Sequence, residues 1–278
     1  MYFILRDRPK GDGTDELPIF LDFILKCIDA SRLISKTSLK INTFDQTYLI
    51  IPNSILRMKL SILAIIVLLK ITLLAQSISL DAKNLEASNV FLSYEKINNE
   101  KVLKVAIDTA IKTFDQATFA KIKDIELQNG IIEVKVLSRL MKDAPSFARG
   151  FIGLAFRVSA SKDKFEGIYV RPTNGRADDQ IRRNHSIQYF SFPGYDFDRL
   201  RKESPEKFES YADLGLNEWI TMRIEVKGQK ARLYLNHVKQ PSLIVNDLKL
   251  GEHHRGGIGL WVGNYTEGFF KDLKVVKN

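Results

Sequence analysis

The stretch "EWITMRIEVKGQKARLYLNH", Glu218 to His237, decides the fold class. Ile220, Met222, Ile224 and Val226 alternate with polar residues, so as a strand they share one face. Gly228-Gln229 supplies a turn, and Leu233 and Leu235 return on the same side. That is an amphipathic β-hairpin. Working outward, "GIIEVKVLSRL" sets Ile132, Val134 and Val136 against Glu133 and Lys135. "FIGLAFRVS" follows the turn-rich "KDAPSFARG", and "GGIGLWVG" and "GFFKDLKVVK" close the chain. Sustained helical periodicity is scarce; "DFDRLRKESPEKFESY" holds one turn of helix before Pro205. Short strands with frequent turn signals predict an all-β domain over Ile78 to Asn278, a two-sheet antiparallel sandwich.

The order of these segments resembles the concanavalin A-like lectin/glucanase superfamily, most of all its bacterial laminin G-like and 3-keto-disaccharide-hydrolase-like branches. The residues that carry the resemblance are Glu218-Trp219, Leu233 to Asn236, Gly257 to Trp261 and Phe270 to Val275. His237 stands where Gly usually follows Asn in this pattern. The resemblance covers Phe151 to the end, and Ile78 to Arg149 by pattern alone. It implies a jelly-roll sandwich. It assigns no activity, because one fold hosts many functions.

"MKLSILAIIVLLKITLLAQS", Met58 to Ser77, has a basic start, an apolar run and a small-residue end at Ala75 and Ser77. This is the layout of a secretory signal peptide, interrupted by Lys70. The expectation is therefore three parts: 1–57 as an N-terminal extension with Met58 as the true start, 58–77 as the signal peptide, and 78–278 as the sandwich. The product is then secreted or periplasmic. If the segment stays uncleaved, it is a weak membrane anchor instead. "LPIFLDFILKCIDASRLI" has helical spacing, but no motif in 1–57 carries chemistry. The single cysteine, Cys27, lies there, which leaves the expected mature chain without disulfides or a lipid-anchored Cys.

The chain has 278 residues and a formal net charge of +9. Residues 78–278 hold 32 basic and 26 acidic side chains, with no basic stripe. "RLRK", Arg199 to Lys202, is short and flanked by acids, so nucleic acid is not an expected partner. No Glu is followed two residues later by Asp, so the laminarinase-type E-x-D-x-x-E of the superfamily is absent. There is no G-x-S-x-G, no H-E-x-x-H and no C-x-x-C. His253-His254 reads as a solvated turn. No cofactor is expected. Calcium, used by some sandwich lectins of the superfamily, would find oxygens on Asp178, Asp179 and Asn174, but no D-x-[DN]-x-[DN]-G loop accompanies them.

One stretch is unusually rich in hydrogen-bonding groups: "RPTNGRADDQIRRNHSIQYFS", Arg171 to Ser191. Asn174-Gly175 suits a tight turn. An extended run from Arg182 would put Arg182, Asn184, Ser186 and Gln188 on one face, with Ile187 toward the core. Asp178 or Asp179 would then hold an arginine in place. Tyr189 and Tyr195 follow, suited to stacking on sugar rings, whereas Phe190, Phe192 and Trp261 read as core. The candidate ligand-binding residues are thus Asn174, Arg176, Asp178, Asp179, Arg182, Asn184, Gln188 and Tyr189. The function expected is binding of a carbohydrate or surface glycan. A hydrolase or lyase with an unrecognised acid pair, and a structural adhesion module, are the alternatives.

Overall fold

A computed structural model describes residues 76–278. The expectations for 1–57, for Cys27 and for most of the 58–77 segment lie outside the described residues.

Fifteen strands run along the described chain: β1 Gln76–Ser77, β2 Leu85–Ser88, β3 Val90–Ile97, β4 Glu100–Ile107, β5 Phe119–Ile122, β6 Gly130–Leu140, β7 Ile152–Val158 and β8 Phe165–Val170. There follow β9 Ile187–Phe192, β10 Glu209–Ser210, β11 Ile220–Lys227, β12 Lys230–Leu235, β13 Leu243–Val245, β14 Gly257–Val262 and β15 Thr266–Lys277. They form two antiparallel sheets. The first is ordered β13-β12-β11-β6-β15-β4-β3, with β1 on β15; the second is β10-β9-β8-β7-β14-β5-β2.

The hairpin is built as its sequence demands. Met222 pairs with Leu235, Ile224 with Leu233 and Val226 with Ala231, and all six side chains are buried. Lys227 and Lys230 close it across Gly228 and Gln229, and Gly228 sits at φ +57°. A first central residue at positive φ suits a twisted two-residue turn, and glycine takes it without steric cost. On the neighbouring strand Ile132, Val134 and Val136 face the same core. From the second sheet Ile152, Leu154, Phe156, Ile168 and Val170 meet them.

The second sheet is apolar on its outer face as well. Phe119, Phe151, Phe165, Tyr169, Phe190 and Trp261 form a second buried cluster there. The Phe190 ring lies where a Cβ on Gly167 would stand, only 2.2 Å away, so glycine at 167 makes room for the ring. Two non-strand segments cover this face and meet over it. The Trp261 indole N–H donates to the Gln116 carbonyl at 2.8 Å, and the Phe197 amide donates to Asp115 Oδ2 at 2.8 Å. A helix before Pro205 is present as part of this cover, at Phe197–Glu203, seven residues long and so longer than the single turn expected.

At one end of the sandwich the Arg157 side chain, with no exposure to solvent and φ +54°, gathers loop carbonyls. Its guanidinium donates to the carbonyls of Gln128, Gly251 and Gly228 at 2.7–3.0 Å.

The local structure expected for the polar stretch is corrected. Pro172–Gly175 is a short helix, α1, not a hairpin turn. Gln180–Asn184 is a second, α2, and Phe197–Glu203 is α3. Pro172 fits the first helical position, where no N–H is needed. The Asp179 carboxylate caps α2 by accepting from the Arg182 amide at 3.0 Å. Extended backbone resumes only at Ile187, so Arg182 and Asn184 share no strand face with Gln188.

Asn236 and His237, at the end of the hairpin, have φ of +48° and +59°. Asn236 ties the turn down: its Oδ1 accepts from the Thr221 amide at 2.9 Å, and its own amide donates to the Thr221 carbonyl at 2.9 Å. His237 is exposed and has no such return. His237→Gly is therefore expected to raise unfolding stability by about 0.5–1 kcal/mol, the steric relief at positive φ less the added chain entropy. A chemical denaturation midpoint that falls would contradict this.

Candidate functional site

Where the cover of the second sheet stops, an open pocket of about 700 Å³ remains. Its apolar lining is Phe114, Phe147, Phe151, Phe197 and Ile181. Three of these are unusually exposed for their size: Phe114 at 38%, Phe147 at 50% and Ile181 at 70%. The rings meet edge to face, with centroids of Phe114 at 5.9 Å from Phe197, 6.1 Å from Phe151 and 6.5 Å from Phe147. Edge-to-face contact holds aromatic rings in fixed relative orientation.

The polar lining is Arg149, Arg171, Arg182, Arg201, Asn174 and His185. Arg171 follows the last residue of β8 and is buried. Its guanidinium donates to the His185 carbonyl at 2.9 Å, the Tyr169 hydroxyl at 3.0 Å and Gln188 Oε1 at 3.1 Å. Arg171 and Arg201 both face the Phe197 ring, at 5.6 and 5.5 Å from its centroid. Glu209, on the edge strand β10, is the shared counter-ion. Its carboxylate lies 3.4 Å from Arg171 and is bonded in two places by Arg201. Burial pushes the Glu209 carboxyl upward, but Arg201, Arg171 and His185 outweigh that and hold it below the ordinary value.

His185 Nδ1 is 3.0 Å from Glu209 Oε2 without the alignment of a hydrogen bond. Burial lowers the imidazole pKa, and Arg201 and Arg171 add to this against the pull of Glu209.

Arg149 and Arg182 are placed differently. The backbone of Arg149 is fixed by Thr173, whose amide donates to the Arg149 carbonyl, and its side chain reaches the Ser146 and Ala148 carbonyls at 2.6 and 3.0 Å. Arg182 reaches Asn174 Oδ1 and the Thr173 carbonyl at 3.4 and 3.3 Å. Among the described residues no carboxylate lies within ion-pair distance of either. Burial, with Arg182 and Arg171 close by, pushes the Arg149 guanidinium below the ordinary arginine value.

Of the residues singled out by sequence, Asn174 and Arg182 line this pocket. Asn184 lines a smaller neighbouring one with His185 and Glu209, and accepts from Gln180 at 2.7 Å. Arg176 is turned away, paired with Asp213 at 2.6 Å and Glu218 at 3.1 Å. Asp178 is exposed, and Asp179 holds a helix amide and no arginine side chain. The outward row expected through Gln188 is corrected. Gln188 has no solvent exposure because the outer face of its strand is covered, and there it bonds Arg171 and the Tyr189 carbonyl. Tyr189 is likewise buried, donating to Glu166 inside the sandwich. Phe114, Phe147, Arg149 and Arg201 escaped the sequence reading, and Arg171 and Phe197 were not among its ligand-binding candidates. The one available signal was Phe147, a large ring inside the turn-rich "KDAPSFARG".

Among the described residues no three His, Cys, Asp or Glu side chains are grouped to hold a metal ion, and no helix is long and apolar enough to cross a membrane.

No protein-family model matches the chain, and no curated protein matches it. Among solved structures, it is similar to the carbohydrate-binding module CBM66 from Bacillus subtilis, at 12% identity and TM-score 0.43, over 69% of this chain and 98% of that one. A Bacillus subtilis protein of unknown function with a galectin-like fold gives 10% identity and TM-score 0.42 over 74% and 100%. Domain 4 of the GH43 extracellular arabinanase AbnA from Geobacillus stearothermophilus, in complex with arabinotriose, gives 8% and 0.38 over 68% and 76%. At these values the likenesses say nothing of what this pocket holds.

Two stability outcomes follow from the site. Arg171 and Glu209 are 6% and 4% exposed, so Glu209→Ala leaves a buried guanidinium without its counter-ion. We expect a loss of about 3–5 kcal/mol in equilibrium unfolding; a loss under 1 kcal/mol would show that Arg171 is served well enough by its neutral partners. Asp115 behaves in the opposite sense. Burial raises its carboxyl from 3.8 to about 6, against the Phe197 amide, Arg171 and the Tyr169 hydroxyl. The folded state then keeps a proton that the unfolded chain releases, so this group's contribution to stability falls as pH rises from about 4 to 6. Asp115→Asn, which suits φ +51°, should abolish that fall and add up to about 3 kcal/mol at pH 7. An unchanged pH profile would count against it.

Proposed function

We propose that this chain is a carbohydrate-binding β-sandwich domain, acting outside the cytoplasm, and that its ligand sits in the pocket between Phe147 and Arg182. The observation that carries this reading is the lining itself. Exposed aromatic rings stand beside guanidinium, amide and imidazole groups, and no Asp or Glu is among the lining residues.

Each part has a use. Apolar ring faces pack against the C–H faces of a sugar, while the polar groups bond its hydroxyls. The rings are held by one another and by cation–π contact, so a ligand meets a surface already in place. Glycoside hydrolysis by the usual routes needs two carboxyl groups flanking the bond to be broken. The lining supplies none, and the nearby Glu209 is occupied by two arginines. Binding therefore fits the geometry better than hydrolysis.

The test is a glycan array followed by titration of the best ligand into the full chain and into Phe147→Ala. Phe147 is half exposed, so its removal should leave the thermal melt nearly unchanged. It should weaken binding about tenfold, equivalent to about 1.4 kcal/mol. Absence of any glycan binding would overturn the reading. Unaltered affinity in Phe147→Ala would move the ligand out of this pocket.

A further inference from the structure

Resting on the carbohydrate reading, we infer that the pocket takes an acidic sugar, a ring bearing a carboxylate or a sulfate ester, with the anionic group received by Arg149 and Arg182. Four guanidinium groups line one pocket and no carboxylate does. Glu209 answers Arg171 and Arg201. Among the described residues Arg149 and Arg182 have only carbonyl and amide oxygens, which accept hydrogen bonds without cancelling charge.

A neutral sugar would be a poor occupant of this site. It would strip water from two unpaired cations and return only hydroxyl contacts. An anion returns charge-assisted hydrogen bonds, and the flat fork of a guanidinium matches both carboxylate and sulfate oxygens. Arg149 is also held by two short carbonyl contacts and by the anchored backbone at Thr173, so it is oriented before a ligand arrives. Phe147 and Phe151 flank Arg149 closely in the chain, which places a ring surface beside the cation. A sugar ring on the aromatic side and its acidic substituent on the arginine side fill both halves of the pocket. A bare phosphate or sulfate ion fills only one.

The experiment is calorimetric titration of the full chain with short oligomers, which avoid the diffuse attraction of a long polyanion to a basic protein. The probes are a galacturonate trimer, the same trimer as its methyl ester, a sulfated galactose trimer and sodium sulfate. We expect at least one of the two acidic trimers, uronate or sulfated, to bind at least tenfold more tightly than the methyl ester. The preference should shrink with added salt and vanish in Arg149→Gln/Arg182→Gln, whose folding is checked by its melt. Equal affinity for the ester and for both acidic trimers would overturn the inference and leave the carbohydrate reading standing. Binding of free sulfate as tight as that of the trimers would overturn it too, since the sugar would then contribute nothing. If no trimer binds and no neutral glycan binds either, the carbohydrate reading itself has failed. The comparison of both acidic trimers with the ester uses the unaltered chain, so it decides the matter even if the double variant does not fold.

Discussion

A sheet that is apolar on both faces needs two covers, and this one requirement organises the second half of the molecule. The inner face of the second sheet is answered by the first sheet, as in any sandwich. The outer face presents Phe165, Tyr169, Phe190 and Trp261, and among the described residues no further sheet packs against it. Two segments outside the strands do that work, one of them carrying α3, and backbone outside a sheet needs partners for its own polar groups. Gln116 finds the Trp261 indole and Asp115 finds the Phe197 amide. Where the cover thins out, Glu209 gathers Arg171, Arg201 and His185 into one network instead. The pocket is the place where cover gives way to network.

This origin explains why the pocket is both aromatic and cationic. The rings are the exposed margin of the covered face, and the arginines are what the chain uses to finish that margin. Arg171 and Arg201 stay structural, because Glu209 and the Phe197 ring claim them. Arg149 and Arg182 line the pocket outside that arrangement. A structural network and a recognition surface thus share one wall and differ only in which cations are already answered.

The sandwich was legible because strand periodicity survives in the letters. Alternation at Ile220–Val226 and Ile132–Val136 points one row inward, and the structure buries that row. The polar stretch was legible only in composition. Alternation separates two sides of a strand without saying which is wet, and at Gln188 both are dry. Asp178-Asp179 reads as a pair that holds an arginine, and only the fold of α2 turns Asp179 to the Arg182 backbone amide instead. The pocket draws on Phe114, Phe147, Arg171 and Arg201, from four separate segments. No local pattern links residues that far apart, so their meeting is a property of the tertiary structure. The resemblance in the closing strands pointed to the sandwich and carried no information on these loops.

Arg157 has a further consequence for the opposite business of holding loops in place. Its guanidinium collects carbonyls from three loops at one end of the sandwich, the task that a bound divalent cation performs in many extracellular domains. A bound ion comes and goes with its concentration. A guanidinium on its own strand is always present and needs no loading. Those three loops are consequently tied to one another through a side chain of the covalent chain itself.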